Sequence, residues 1–311
     1  MKKNSIVYSI TIPVYNGEMS LPELIKRLVK VMDEVGQTFE IILVNDASPD
    51  NSWEVIKQLK IKYPRIKAFN LMSNVGQFKA LKCAFDHVQG KHVITIDDDL
   101  QNPPEEIPKL IEAINKKSDL DCVFGVPRKK RHSFYRNLGT RLISLINHKI
   151  FDKPKGIKTS NFRIFKCHIN DALIQHNTRN PVINPLILKN TRRIGNVIVE
   201  HYERKHGTSG YNLARLIKTT LDNVLNFSTF PLKLVSGIGL LASMGSLLLI
   251  IFYSIRYFQG IIKVQGWITL LLLISFFSGL ILFSIGLVGE YLIRIIEEVN
   301  HSPQYILRDK I

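Results

Sequence analysis

Short apolar runs alternate with amphipathic segments along the first 125 residues of the chain. The runs have the length of strands, whereas apolar residues recur at helical spacing in the segments between them. Strands are predicted at residues 6–12, 39–44, 66–71, 92–96 and 121–124. Helices are predicted between them, beginning near Leu21, Trp53, Gln77 and Pro104. This alternation predicts an α/β domain with a mostly parallel sheet covered on both faces.

Two long apolar stretches, residues 234–255 and 268–293, follow that domain. A helix needs about 20 apolar residues to cross roughly 30 Å of hydrocarbon, and both stretches are long enough. A pair of buried core helices is the alternative, which the tandem arrangement disfavours. We therefore predict three regions. They are an α/β domain over residues 1–202, an interfacial amphipathic segment over 203–230, and a two-helix transmembrane anchor with a cytosolic tail over 231–311.

The net charge of +16 is compatible with three kinds of binding partner for the protein: nucleic acid, anionic lipid and phosphorylated substrates. Predicted membrane helices favour lipid headgroups and phosphates, and no nucleic-acid-binding motif is present. Lysine and arginine flank the two spans more densely than they occupy the loop between them, which predicts cytosolic termini. The three cysteines show no close pairing, which suits a reducing compartment. We expect a multi-pass protein of the inner (plasma) membrane with its α/β domain in the cytosol.

Polar residues follow four of the predicted strands directly. They occupy positions 13–16, 45–50, 74–77 and 97–99. Ligands of parallel α/β sheets bind beyond the carboxyl ends of the strands, so these four clusters predict one crevice.

Asp97, Asp98 and Asp99 form the most informative cluster. Three adjacent carboxylates cannot all be buried and unpaired, because like charges raise one another's pKa. An ion such as Mg²⁺ or Mn²⁺, bound to these oxygens and to a diphosphate, would resolve the repulsion. In an extended chain Asp97 and Asp99 face one side and Asp98 the other, so we expect loss of Asp98 to be the mildest. A solvated acidic turn is the alternative.

These clusters carry a resemblance to a known family. Pro13-Val14-Tyr15-Asn16, residues 45–50 and residues 97–105 resemble successive motifs of the family 2 inverting glycosyltransferases, which have the Rossmann-like GT-A fold. With the turn at 74–77 and the two apolar stretches, the chain resembles the polyprenyl-phosphate branch of that family. The branch includes enzymes of the dolichol-phosphate mannose synthase, GtrB and ArnC types.

The resemblance implies roles for individual residues. The nucleotide-binding set would be Pro13, Tyr15, Val44, Asp46 and Asp98. The metal ligands would be Asp97, Asp99 and Gln101, and the catalytic residues Asp97, Asp99 and Arg163. The acceptor phosphate would meet Arg128, Arg131, Ser133, Arg136 and Arg204. Mg²⁺ or Mn²⁺ is the implied cofactor.

Three positions depart from the family pattern. Gly17 stands where glutamate is common, residues 158–161 lack the aspartate proposed as a base, and Gly210 replaces a lysine. A phosphate monoester is largely ionised at pH 7 and needs no base, whereas a sugar hydroxyl does. The missing aspartate therefore favours a phosphate acceptor.

We accordingly expect an enzyme that transfers a sugar from a nucleotide diphosphate, UDP-linked, to undecaprenyl or another polyprenyl phosphate. The reaction would serve cell-envelope glycan synthesis or lipopolysaccharide modification. One alternative is a transferase that extends a lipid-linked oligosaccharide through a sugar hydroxyl. Another is a non-catalytic nucleotide-binding membrane adaptor. A homo-oligomer is compatible with the sequence.

Overall fold

An eight-stranded mixed sheet organises the first of two units in the chain. The structure is a computed structural model that describes residues 6–116, 119–128, 156–176, 182–202, 266–299 and 303–311, together with individual residues between 232 and 259. Residues 1–211 and 301–311 form the first unit, and residues 212–300 form the second.

The predicted strands and helices of the first 125 residues are confirmed, with boundaries that shift by a few residues. The strands are β1 Tyr8–Val14, β2 Phe39–Asn45, β3 Ile66–Leu71, β4 His92–Thr95, β5 Cys122–Pro127, β6 Arg163–Lys166, β7 Ile194–Val199 and β8 Leu307–Lys310. The helices are α1 Leu21–Val35, α2 Ser52–Lys62, α3 Gln77–Asp86, α4 Ile107–Lys116, α5 Cys167–Gln175, α6 Ile183–Asn190 and α7 Trp267–Val299.

The strand order is β7-β5-β6-β4-β1-β2-β3-β8. The six strands other than β6 and β8 run parallel, which confirms the mostly parallel sheet. The order reverses between β1 and β4, because β2 and β3 lie to one side of this pair and the later parallel strands to the other. Ligands of such sheets bind at this switch point, outside the carboxyl ends of the strands.

Apolar packing covers both faces of the sheet. Ile41 and Leu43 pack in a large cluster with residues of α1 and α2, whereas Ile42 and Val44 pack in a smaller cluster with residues of α3. Successive strand residues point to opposite faces, so a strand buried on both faces is mainly apolar. This is why the predicted strands are mainly apolar runs, although the buried β1 also contains Ser9 and Thr11.

The C-terminal residues join the sheet, which corrects the predicted domain boundary. The predicted anchor with its cytosolic tail covers residues 231–311, but β8, within that range, pairs antiparallel with β3 at the edge of the sheet. Tyr305 and Leu307 pack on the small cluster beside α3, and Tyr305 Oη donates to Asp86 Oδ2 at 2.7 Å. A short strand of mainly charged residues carries no periodicity of its own, and its register depends on the distant β3.

One helix among the described residues, α7, is long and apolar enough to cross a membrane. Its most apolar window, Phe276–Ile293, has a mean hydropathy of 1.9, and none of it is buried. The other predicted span, residues 234–255, is described only in part and stays a prediction. The predicted interfacial segment, residues 203–230, lies outside the described residues.

Candidate active site

The loop after β1 is held by side chains from two neighbouring strand ends. Residues 15–18, here called the β1 loop, present four successive backbone N–H groups, and each donates to a side-chain oxygen. The pairs are Tyr15 N with Asp98 Oδ2 at 3.0 Å, Asn16 N with Ser48 Oγ at 3.2 Å, Gly17 N with Ser52 Oγ at 2.9 Å, and Glu18 N with Asp50 Oδ2 at 3.1 Å. Each of these four donors therefore has an acceptor within the protein.

Asp98 links the strand ends on the two sides of the switch point. Strand β4 ends at Thr95 and the chain turns at Asp98, so the extended conformation that we assumed stops before the carboxylates. The Asp98 side chain accepts from Tyr15 N and thereby supports the β1 loop. Burial raises the pKa of Asp98 to about 7, and the charges of Asp97 and Asp99 add to the rise. The expectation that Asp98 is the least important of the three is therefore revised.

Gly17 departs from the family pattern at a point of close approach to Asp98. A Cβ at this position would lie 2.9 Å from Asp98 Oδ2 and 3.0 Å from Val14 Cγ1. The next residue, Glu18, accepts from the backbone and side-chain nitrogens of Asn51 at 3.1 and 3.2 Å. In this chain a glycine at position 17 gives the Asp98 carboxylate room beside the β1 loop.

Asp97 is oriented by two side-chain amides. Gln77 Nε2 donates to its Oδ1 at 2.5 Å, and Asn161 Nδ2 lies 3.4 Å from its Oδ2. These two donors are neutral, so they orient the carboxylate without forming ion pairs with it. Gln77 comes from the start of α3, whereas Asn161 precedes β6, so the site draws on both halves of the sheet.

The oxygen atoms of Asp97, Asp99 and Gln101 fit a divalent metal by their chemistry. Mg²⁺ and Mn²⁺ prefer carboxylate and carbonyl oxygens, and Mg²⁺ sites commonly complete their coordination with substrate phosphates. Among the described residues, no three histidine, cysteine, aspartate or glutamate side chains form a metal cage by themselves.

The loop that follows β4, residues 97–106, is fastened to other elements. Tyr202 N donates to Gln101 O at 2.8 Å, and Glu200 N donates to the buried Glu106 at 3.1 Å. Arg27 of α1 donates twice to the Glu105 carboxylate, at 2.9 and 2.7 Å. These contacts restrict movement of the loop that carries the candidate metal ligands.

Backbone strain is concentrated at the same edge of the sheet. The non-glycine residues with positive φ among those described are Asn16 at 56°, Ala47 at 49° and Leu100 at 59°. Each follows the carboxyl end of a parallel strand, β1, β2 or β4. Such conformations are uncommon outside glycine and tend to cluster at functional sites, which supports this edge as the site.

The predicted nucleotide-binding residues have different environments. Tyr15 is 49% exposed and presents its ring to solvent. Val44 has no exposed surface and packs in the cluster with α3, while Pro13 is also buried, so neither side chain is open to a ligand. Asp46 accepts from Val75 N and Gly76 N at 2.7 and 2.9 Å and thus fixes the turn before α3. Burial raises the pKa of Asp46, and these two bonds oppose the rise.

Arg163 is completely buried, contrary to the direct catalytic contact that its prediction implied. Its Nη1 donates to Asn184 Oδ1, while Nε and Nη2 have no hydrogen-bond partner among the described residues. Burial lowers the pKa of Arg163 to about 10, and the negative charge of Asp97 opposes this shift. The strand β6 places its side chain in the interior, so it can act on the site only through its charge.

Of the residues predicted to bind the acceptor phosphate, the structure describes only Arg128. That side chain is exposed directly after β5, whereas Arg131, Ser133, Arg136 and Arg204 lie outside the described residues. Nearby, Asn196 of β7 bonds in both directions with the backbone of Lys158, at 2.8 and 2.7 Å. This pairing holds the segment that carries Asn161. Sequence reasoning did not identify Gln77, Asn161 or Asn196 as parts of the site, although the first lies in a cluster that it singled out.

Comparisons with known proteins identify the family of this chain. The family model described as glycosyl transferase family 2 matches residues 9–173. An undecaprenyl-phosphate 4-deoxy-4-formamido-L-arabinose transferase of Proteus mirabilis is 35% identical over 304 residues, covering 96% of this chain and 92% of the relative. An uncharacterized glycosyltransferase, YkcC, of Bacillus subtilis is 32% identical over 305 residues, covering 97% and 94%.

A solved structure shares the fold. Glucosyl-3-phosphoglycerate synthase of Mycobacterium tuberculosis, crystallised with Mn²⁺, uridine diphosphate and phosphoglyceric acid, superposes with a TM-score of 0.53. The alignment covers 72% of this chain and 78% of that chain at 15% identity. Likeness at this level of identity concerns the fold alone, and it confirms the GT-A type of α/β domain.

Proposed function

This chain belongs to glycosyl transferase family 2, and from that premise we propose that it transfers the sugar of a UDP-sugar to undecaprenyl phosphate or a similar polyprenyl phosphate. The observation that carries the proposal is the likeness to undecaprenyl-phosphate transferases along 96% of the chain. A fold match alone would leave the acceptor open. The product would serve lipopolysaccharide or cell-envelope glycan modification.

The reaction is a single displacement. An oxygen of the lipid phosphate attacks the anomeric carbon, the bond from that carbon to the diphosphate breaks, and the configuration inverts. Because the phosphate is already ionised at neutral pH, no residue has to remove a proton. The segment before β6 supports this step, since it offers the amide of Asn161 beside Asp97 rather than a carboxylate.

Different residues of the crevice would bind the nucleotide, bind the metal and orient the metal ligands. The β1 loop would position the nucleotide, with Tyr15 open to the base and Asp98 holding the loop. Asp97, Asp99 and Gln101 would hold Mg²⁺ or Mn²⁺, whose positive charge stabilises a departing diphosphate when the ion is bound. Gln77 and Asn161 would keep Asp97 oriented, and Arg163 would add a buried positive charge nearby.

The proposed test incubates the purified full-length protein with undecaprenyl phosphate and a panel of UDP-sugars, including UDP-4-deoxy-4-formamido-L-arabinose. Mass spectrometry of the lipid should detect a polyprenyl-phosphate sugar from one of the donors. A product formed only on lipid-linked sugars with free hydroxyls would instead support the oligosaccharide-extending transferase. Nucleotide binding without any product would support the adaptor.

Arg128 provides a variant for the acceptor side of this assay. Its exposed guanidinium follows β5, and charge-assisted bonds from arginine to phosphate are stronger than neutral ones. We expect Arg128→Ala to raise the KM for polyprenyl phosphate about tenfold and leave the affinity for UDP unchanged. Arg65→Ala, which removes an exposed arginine that pairs with Asp33, is the matched control. Loss of UDP affinity in Arg128→Ala would contradict an acceptor role.

The membrane topology is a further part of the proposal. Lysine and arginine flank the two predicted spans, so the domain with the site would face the cytosol and only residues 256–267 would lie outside. In a variant with Cys83, Cys122 and Cys167 replaced by serine, an impermeant thiol reagent should modify Gln259→Cys but not Asn4→Cys. Both should react after permeabilisation. Modification of Asn4→Cys in intact cells would reject this orientation.

A further inference from the structure

A row of polar side chains crosses the sheet from the β1 loop to the C-terminal strand. Asn45 of β2 pairs in register with Asn70 of β3, and Asn70 pairs with Asp309 of β8. Asn45 and Asn70 are 2% and 6% exposed, so their amides need partners within the protein. The row crosses β2, β3 and β8, and it begins at the edge of the sheet that carries the candidate site.

Hydrogen bonds connect this row without interruption. Asn16 N of the β1 loop donates to Ser48 Oγ at 3.2 Å, and Ser48 Oγ donates to Asn45 Oδ1 at 2.6 Å. Asn45 Nδ2 then donates to Asn70 Oδ1 at 2.9 Å, and Asn70 Nδ2 donates to Asp309 Oδ2 at 3.3 Å. The bonds thus link the β1 loop to the end of the chain.

The direction of every bond in the row follows from its last member. An ionised carboxylate accepts and cannot donate, so Asp309 requires the nitrogen end of the Asn70 amide. The oxygen end of Asn70 then faces Asn45 and requires its nitrogen, which turns the oxygen of Asn45 towards Ser48. The Ser48 hydroxyl therefore donates its proton to Asn45 Oδ1, and a lone pair of the same oxygen accepts from Asn16 N.

A bulge in β8 makes this arrangement compatible with the core. Asn70 is opposite Asp309 but Leu71 is opposite Leu307, so Arg308 is an extra residue in β8. In a regular strand, residues 307 and 309 would face the same side. The extra residue lets Leu307 pack in the cluster with α3 while Asp309 contacts Asn70, whose side chain lies on the other face.

We propose that Asp309 is a positioning residue of the nucleotide site, which acts by fixing the direction of the Asn70–Asn45–Ser48 bonds that hold the β1 loop. The inference rests on the proposed function for its assignment of the β1 loop to the nucleotide. It makes the segment that follows the membrane helix part of the machinery that binds the donor. Asp309 itself does not touch the ligand.

The test measures amide hydrogen exchange and UDP affinity on the full-length protein in detergent. In Asp309→Ala, peptides covering residues 15–18 should exchange about three- to tenfold faster, and the Kd for UDP should rise by a similar factor. Asp309→Asn should behave as wild type, because an asparagine oxygen can accept from Asn70. Asp309→Lys should be at least as impaired as the alanine variant, because an ammonium group only donates. Lys310→Ala, on the same strand, is the control and should match wild type.

Three results would overturn the inference. They are unchanged exchange at residues 15–18 in Asp309→Ala, failure of Asp309→Asn to restore it, or faster exchange confined to β3 and β8. The last would show that Asp309 only stabilises the sheet edge. Amide exchange is measured without a ligand. The test therefore distinguishes a failure of the Asp309 inference from a failure of the proposed function. If exchange responds as expected while no nucleotide binds wild type, the control of the β1 loop stands and the nucleotide assignment fails.

Discussion

Asp97→Asn and Asp99→Asn are each expected to reduce sugar transfer at least about 100-fold, because the charge that develops on the departing diphosphate loses its main stabilisation. The fold should persist, since the amides of Gln77 and Asn161 can turn to present their oxygens to an asparagine at position 97. The measurement is kcat/KM for the lipid product, together with Mn²⁺ binding followed by electron paramagnetic resonance. UDP affinity should lose its dependence on the metal in both variants.

Asp33→Asn is a suitable control, because it makes the same chemical change at an exposed residue that pairs with Arg65. Its kcat/KM and Mn²⁺ binding should equal those of wild type. If Asp97→Asn or Asp99→Asn bound Mn²⁺ and transferred sugar normally, the assignment of these carboxylates to the metal would be wrong.

The sequence was sufficient for the part of the fold that is encoded locally. Strands β1 to β4 are mainly apolar runs, and α1 and α4 carry their apolar residues at helical spacing, so each can be identified without its neighbours. Strands β6, β7 and β8 were not predicted. Strands β6 and β8 have four residues each and pair antiparallel with strands that are distant in the chain, and β7 pairs parallel with the distant β5.

The location of the site could also be predicted, whereas its internal bonding could not. Polar residues directly after apolar runs mark the carboxyl ends of strands, and this placed Tyr15, Asp46 and the aspartates at one edge. Two partners of Asp97 are Gln77 and Asn161, which lie 20 and 64 positions away in the sequence. Such pairs are brought together by strand order, and residue type alone does not reveal them.

The side chain of Asp98 does not have the orientation that an extended strand would give it. Alternation of side chains holds in an extended strand, but β4 ends at Thr95 and Leu100 adopts a left-handed φ of 59°. The turn brings the Asp98 carboxylate to Tyr15 N, at the point where the strand order reverses. Asp98 therefore supports the nucleotide side of the site, while Asp97 and Asp99 remain the candidates for the metal.

We expect Asp98→Ala to weaken UDP binding about 10- to 100-fold even when EDTA removes divalent ions, because Tyr15 N–H loses its acceptor and the β1 loop loses one of its four supports. Calorimetric titration with UDP, with and without Mn²⁺, measures this directly. Asp98→Asn retains an oxygen that can accept from Tyr15 N, so its affinity in EDTA should stay within about threefold of wild type. Asp97→Asn and Asp99→Asn should differ from Asp98→Ala by losing only the metal-dependent part of the affinity. Equal losses in Asp98→Ala and Asp98→Asn would mean that the charge of Asp98, and not its hydrogen bond to the β1 loop, is what the nucleotide site requires.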